Sequence, residues 1–313
     1  MPACRGDLPC PPAQCETLYP AMNIRQALAR ATQSSDRTHG KPIDRRDANV
    51  LLAHVLGCDR PWLLAHPDAE LGPAEEVAFL QAVADRQAHK PLQYITGHQE
   101  FYGLDLQLSL DTLIPRPETE LLVDAVIHWA KAQSPHLDTP LHLIDFGTGS
   151  GAIALAVAAN LPHAIVEALD LSPAVGPIVE ANARQHGLNE RIRFAESDLL
   201  AALQPQLAAG TLFDAILSNP PYIPVGDAPT LQPEVREYEP HRALFAGPEG
   251  LDIYRRLIPQ AQAALRPGGL LAMEFGFGQR SAIEVLLKEW DSIQILDDLA
   301  GIPRVALATR PGR

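Results

Sequence analysis

The sequence predicts an α/β fold: a doubly wound, mostly parallel seven-stranded sheet, preceded by a small N-terminal helical domain and a linking β-hairpin. Three observations carry this. From about residue 141 onward, apolar strand-like runs alternate with helical runs, the rhythm of an open sheet covered on both faces. Before residue 90, apolar residues recur at three-to-four spacing, which marks amphipathic helices. Between the two, residues 97–114 alternate with a period of two, the mark of a hairpin.

The elements follow in order. Residues 1–21 are rich in proline and cysteine without periodicity and are expected to form a flexible leader. Residues 22–90 carry three helical runs, "IRQALARAT", "RRDANVLLAHVLG" and "PAEEVAFLQAVADRQAH". Gly57 suits a helix stop and Pro73 a helix first turn. The linker, residues 91–116, holds the hairpin "GHQEFYGLDLQLSLDTLI", with Leu104, Leu106, Leu108 and Leu110 expected on one face. Residues 117–313 form the sheet domain, entered through "PRPETELLVDAVIHWA", a helix opened by proline with acidic residues in its first turn. Its strands are "LHLIDF", "AIVEALDL", "RIRFAES", "LFDAILS", "LLAMEFG", "SIQILDD" and "RVALATR". Helices are expected over residues 251–269 and 279–290 among others. The last two strands are joined by a Gly-Pro turn, so they should form an antiparallel edge hairpin.

Composition sets bounds on function. Of the 313 residues, 46% are hydrophobic and 20% charged, ordinary for a globular protein. No apolar run approaches the roughly 20 residues of a membrane-spanning helix. On that ground no membrane partner is expected, and the formal charge of −13 repels phosphate backbones, so no direct nucleic-acid partner is expected either. Cys4, Cys10 and Cys15 crowd the leader and Cys58 stands alone, without metal-ligand spacing; no metal is expected. The leader has no apolar core of a secretory signal, and the expected location is cytoplasmic.

The chemistry-bearing stretch begins with "LIDFGTGSGAIAL". Gly147, Gly149 and Gly151, with Thr148 and Ser150 between them, allow a tight turn between the first strand of the sheet and its helix, whose free N–H groups lie beyond. Asp170 ends the next strand, where a carboxylate accepts ribose hydroxyls. Together they describe an adenosine-type cofactor pocket, in which NAD and S-adenosylmethionine (SAM) both remain open. Asp198 follows the third strand, either reaching the adenine or capping a helix.

"LSNPPYIP" decides between the cofactors. Asn219 lies just past the fourth strand, and ligands in such sheets bind beyond the strands' carboxyl ends, so Asn219 is expected to face the cofactor as well as the substrate. Pro220 and Pro221 have no N–H and stiffen the backbone. The segment therefore presents aimed acceptors, suited to a planar NH₂ group, with Tyr222 as a flat face beside it. The lone pair of an amide or exocyclic amine is delocalised, so it needs a potent electrophile such as a sulfonium methyl. SAM fits; a nicotinamide wants a proton shuttle that this loop lacks.

The combination resembles the Class I SAM-dependent methyltransferases with an Asn-Pro-Pro-Tyr motif, whose fold is Rossmann-like. More closely, "PLQYITGHQEFYGLDLQLSLDTLIPRPETELLVDAV", "DFGTGSGAIALA", "SNPPYIP" and "YEPHRALFAGPEGLDIYRRLI" are similar in order to the peptide-chain release factor glutamine N5-methyltransferases. The resemblance covers about residues 22–310. It implies methyl transfer to the glutamine of a Gly-Gly-Gln loop in class I release factors. It implies that Gly147 to Gly151 and Asp170 hold SAM, and that Asp198 or Leu199 borders the adenine. It further implies that Asn219 and the Pro220 carbonyl accept the two amide hydrogens, with Pro221 and Tyr222 completing the substrate site. Sister enzymes act on a ribosomal-protein glutamine and carry a Pro-Arg-Ser-Pro type sequence where "LIPRPETE" stands. DNA amino-methyltransferases lack the whole segment.

Overall fold

The computed structural model describes residues 22–33, 42–133 and 140–312. The leader and its three cysteines lie outside the described residues. The chain divides after Ala88 into two compact units.

The first unit is helical. Helix α1 (Ile24–Thr32) opens with a reciprocal cap between Asn23 and Gln26, and buries Ile24, Ala27, Leu28 and Ala31 along one stripe, the spacing that puts apolar residues on one face. Helix α2 (Arg45–Leu56) ends on Gly57 in the left-handed conformation. A short helix, α3 (Arg60–Ala65), was not anticipated: Asp59 caps it, with proline in its first turn. Helix α4 (Pro73–Gln87) buries Phe79, Ala82 and Val83. The half-buried pair Arg86–Asp47, at 2.7 Å, ties α4 to α2.

The second unit starts with helix α5 (Leu92–Thr96) and the antiparallel hairpin β1 (His98–Phe101) and β2 (Leu104–Gln107). Its strands are shorter than the alternation predicts. Leu106 and Leu108 are buried, but Leu110 is 58% exposed, because pairing stops at Gln107 and residues 110–112 turn. A 3₁₀ turn, Pro117–Thr119, then feeds helix α6 (Glu120–Gln133).

Strand β3 (Leu141–Phe146), helix α7 (Ala152–Asn160), strand β4 (Ala164–Asp170), helix α8 (Gly176–Gln185) and strand β5 (Ile192–Glu196) wind the first half of the sheet. Helix α9 (Gln204–Ala208), strand β6 (Phe213–Ser218), helices α10 (Pro233–Tyr238) and α11 (Asp252–Ala264), strand β7 (Leu265–Glu274) and helix α12 (Arg280–Leu286) follow, then strands β8 (Asp291–Asp297) and β9 (Pro303–Thr309). The strand order is β5-β4-β3-β6-β7-β9-β8. The first five are parallel neighbours, and β9 pairs antiparallel with both β7 and β8. The order reverses after β5, so β3 and β6 flank the switch point where ligands bind in such sheets.

Alternate strand residues feed two cores. Leu143, Val166, Ala215 and Leu270 face α6, α7 and α8. Ile144, Leu169, Ile216 and Leu271 face α11 and α12. Every residue from Ala152 to Ala158 is buried, which explains why α7 is apolar all round.

Two helix ends differ from expectation. Helix α11 stops at Ala264, and Leu265–Gly269 begin β7. Pro267 disfavours helix at Arg266, and Gly268 adopts φ +74°. Helix α12 stops at Leu286, and the chain turns to bury Leu287 and Trp290 in one cluster.

Candidate active site

The sequence-predicted residues converge at the carboxyl ends of the parallel strands. Gly147, Gly149 and Gly151 have φ of +71°, +54° and +84°, a conformation costly for any residue with a Cβ. The N–H groups of Gly147 and Thr148 donate to the Leu169 carbonyl at 2.8 and 3.0 Å, which pins the loop to β4. Thr148 turns inward and donates to Asp145 Oδ2 at 2.7 Å. Ala154 N–H donates to the same oxygen at 3.2 Å, while Oδ1 is buried without a hydrogen-bond partner among the described residues. Burial outweighs these bonds and pushes the Asp145 pKa up to about 7,.

Asp170 is held from both sides: Gly149 N–H donates to Oδ2 at 3.0 Å and Ser172 N–H to Oδ1 at 2.9 Å. Burial still raises its pKa, against those two bonds and the charge of Arg242. Each carboxylate oxygen keeps acceptor capacity for a ligand hydroxyl.

Asp198 caps no helix with its side chain. Both its oxygens accept from one nitrogen of Arg256, at 2.8 and 2.7 Å. The next residue, Leu199, is 1% exposed with φ +55°. A branched side chain in the left-handed region is strained, and such strain clusters at ligand sites. Gly147, Asp170, Asp198, Leu199, Pro221 and Arg256 are among the residues lining one cavity of about 110 Å³.

A second cavity, about 210 Å³, is lined by Arg116, Pro220, Tyr222 and Ile223 among others. Asn219 lines both cavities. Its Nδ2 donates to Thr119 Oγ1 at 3.0 Å. Thr119 in turn donates to Glu274 Oε2 at 2.6 Å, and the Tyr222 hydroxyl donates to Glu274 Oε1 at 3.3 Å. Burial pushes the pKa of Glu274 up, against the hydrogen bonds from Thr119 and Tyr222.

Several of these residues escape sequence reasoning. Thr119 and Arg116 lie inside "LIPRPETE", but nothing in that stretch says what they touch. Arg116 donates to the buried Glu239 at 2.5 Å. Asn182 is buried; it exchanges bonds with the Gln107 backbone at 2.8 and 3.0 Å and donates to the Ser150 carbonyl at 2.9 Å. It thereby ties the hairpin to the glycine loop. Among the described residues no group of three or more His, Cys, Asp or Glu side chains is placed to hold a metal ion, and no helix is long and apolar enough to cross a membrane.

Comparison with known proteins fits this geometry. Residues 26–97 match the family model PrmC N-terminal domain, and residues 131–230 match Methyltransferase small domain. The chain is 40% identical over 290 residues to a release factor glutamine methyltransferase of Koribacter versatilis, covering 93% of this chain and 99% of the relative. The chain belongs to the release factor glutamine methyltransferase family. A Moorella thermoacetica member is 43% identical over 292 residues, covering 92% of this chain and 99% of its own length. As a family member the protein is an enzyme, a SAM-dependent methyltransferase with the Class I, Rossmann-like fold. The crystal structure of the hMettl16 catalytic domain in complex with MAT2A 3′UTR hairpin 6 has that fold: TM-score 0.52, 16% identity, covering 90% of this chain and 98% of the other.

Proposed function

We propose that the protein transfers a methyl group from SAM to the side-chain amide nitrogen, N5, of the glutamine in the Gly-Gly-Gln loop of class I release factors. The observation that carries this reading is the meeting of two cavities at Asn219. The first fits an adenosyl sulfonium: a loop with glycine at 147, 149 and 151, a fixed carboxylate at Asp170, and the apolar Leu199. Gly147, Thr148, Gly149, Ser150, Gly151, Asp170, Asp198 and Leu199 would hold it. When bound there, SAM supplies an electrophilic methyl.

The chain's own residues do the rest. Asn219 Oδ1 and the Pro220 carbonyl accept the two N–H bonds of the glutamine amide. Positive charge that builds on the nitrogen is then shared by fixed oxygens that need no reorganisation. Pro220 and Pro221 hold the carbonyls on a stiff frame, without N–H groups to compete. Tyr222, kept in place through Glu274, packs against the amide plane and limits water. Holding the amide in line converts a bimolecular encounter into a unimolecular step.

The slot reads only an amide, so selection among proteins comes from contacts farther away. The helical unit, which matches PrmC N-terminal domain, is proposed to grip the release factor. The setting would be the cytoplasm, where translation ends. The test is incubation with methyl-labelled SAM and a purified release factor, followed by mass spectrometry of the modified peptide. A methyl group on the Gly-Gly-Gln glutamine is expected; label elsewhere, or none, would refute the reading.

A further inference from the structure

We propose that Glu274 and Thr119 form a directional hydrogen-bond relay that sets which end of the Asn219 carboxamide faces the reacting centre. The proposal rests on the reading of Asn219 as the acceptor for the substrate amide. A carboxamide has two ends of nearly equal shape and opposite chemistry. Its oxygen accepts a substrate N–H; its NH₂ group, turned the other way, would set donor against donor.

The neighbours decide between the two. Glu274, the last residue of β7, is 2% exposed. As a carboxylate it only accepts, and Thr119 gives its single hydroxyl proton to Oε2 at 2.6 Å. Having given that proton, Thr119 can only accept from Asn219, and it does so from Nδ2 at 3.0 Å. Donation therefore runs from Asn219 to Thr119 to Glu274, and Asn219 Oδ1 stays free for a ligand.

The direction depends on the carboxylate charge. A neutral Glu274 carboxyl has a proton to give and can drive the relay backwards, bringing the Asn219 NH₂ group toward the substrate. The groups acting on Glu274 are the Thr119 and Tyr222 hydroxyls, the Arg304 charge, which favours the ionised form, and the Glu118 charge, which opposes it. Burial is the largest influence and raises the pKa, so the reversal falls above the ordinary glutamate range. Thr119 and Glu274 are thus positioning residues: they act through Asn219.

Thr119→Val, Thr119→Ser and Glu274→Gln test this in the full-length protein. With saturating SAM and release factor, Thr119→Val should lower kcat by about 10²-fold, the scale for losing one aimed contact. Thr119→Ser should restore kcat to within a few-fold, and both should keep the SAM Kd within about two-fold by calorimetry. Glu274→Gln does not titrate, and its carboxamide can either accept from Thr119 or donate to it, so the acid limb of the wild-type kcat profile should vanish whatever the level of kcat. A readout independent of the substrate is the side-chain NH₂ resonance of Asn219 in ¹⁵N-asparagine-labelled protein. It should shift in Thr119→Val and return in Thr119→Ser. The relay is overturned by wild-type kcat or an unmoved Asn219 resonance in Thr119→Val, or by equal loss of SAM affinity there. An acid limb that keeps its wild-type midpoint and depth in Glu274→Gln overturns the role of the charge. If the wild-type protein methylates no release factor, the substrate reading fails instead, and the resonance comparison still decides the relay.

Discussion

Arg256 holds both carboxylate oxygens of Asp198 through one guanidinium nitrogen, at 2.8 and 2.7 Å, and both residues line the cavity proposed for SAM. Both side chains are about half exposed, 50% and 54%. An ion pair so wetted is worth only about 0–1 kcal/mol to the fold. Its consequence should lie in ligand binding, because it fixes the direction of the Asp198 oxygens beside Leu199. Arg256→Ala should therefore leave the melting temperature within about 4 °C, by the scale for a domain of this size. SAM affinity should fall by about three- to ten-fold. Calorimetry beside a thermal melt separates the two; a large drop in melting temperature with unchanged SAM affinity would reverse the assignment.

Asp170→Ala should weaken SAM binding more. The substitution removes the charge-assisted bonds proposed to the ribose, worth roughly 1.5–3 kcal/mol each. It also frees Gly149 and Ser172 N–H groups that the carboxylate now holds. Turnover at saturating SAM should suffer less than affinity. Unchanged affinity by calorimetry would contradict a cofactor role for Asp170.

Asn219→Ala should give the opposite pattern. Its carboxamide is proposed to orient the substrate, so its loss should act on the transition state, at about 10²–10³ in rate. SAM should bind nearly as before. Single-turnover methylation of a release factor at saturating SAM measures this, and near-wild-type turnover would remove Asn219 from the catalytic group.

Much of this site was legible because its main parts are local in sequence. A glycine loop, an acidic strand end and an Asn-Pro-Pro-Tyr run each declare themselves within a dozen residues. The parallel sheet then brings them together at one edge, which strand–helix alternation predicts. Thr119, Glu274 and Asn182 were not legible for the converse reason. Thr119 meets Glu274 across 155 residues and Asn219 across 100, and Asn182 meets Gln107 across 75. A threonine in a helix first turn or a glutamate in an apolar strand carries no periodic sign of such a partner. The strained backbone of Leu199 was equally silent, since leucine is no signal for a positive φ. Leu110 misled because alternation continues in the sequence after pairing stops.

Asp145 supplies a pH dependence. Its folded-state pKa, about 7, lies above the ordinary carboxylate value of 3.8 because of burial, and the Asp170 charge adds to the effect. The folded state therefore binds more protons than the unfolded state between those values, and this group's contribution to stability declines as pH rises through that window. Asparagine does not titrate. The melting temperature of Asp145→Asn relative to wild type should rise between about pH 4 and 7, then level off as Asp145 completes its ionisation. A constant difference across that range would show that the carboxyl is not perturbed.

The helical unit offers the widest test. Among the described residues of this unit, His54 and His66 lie apart on different elements, α2 and the end of α3. Every residue proposed to hold SAM or the glutamine lies in the second unit, which is compact by itself. Protein beginning at His89 should thus fold and bind SAM with near-wild-type affinity. If the helical unit grips the release factor, this truncated protein loses binding energy far from the reacting amide, which raises the effective concentration of the glutamine and aligns it. Methylation of an intact release factor should fall by at least about ten-fold in kcat/KM, the effect of some 1.4 kcal/mol of lost contact. A short peptide carrying the Gly-Gly-Gln sequence, which never reaches a distant grip, should be methylated equally by both proteins. If the truncated protein binds SAM and methylates the intact factor at the full-length rate, the helical unit has no part in substrate recognition.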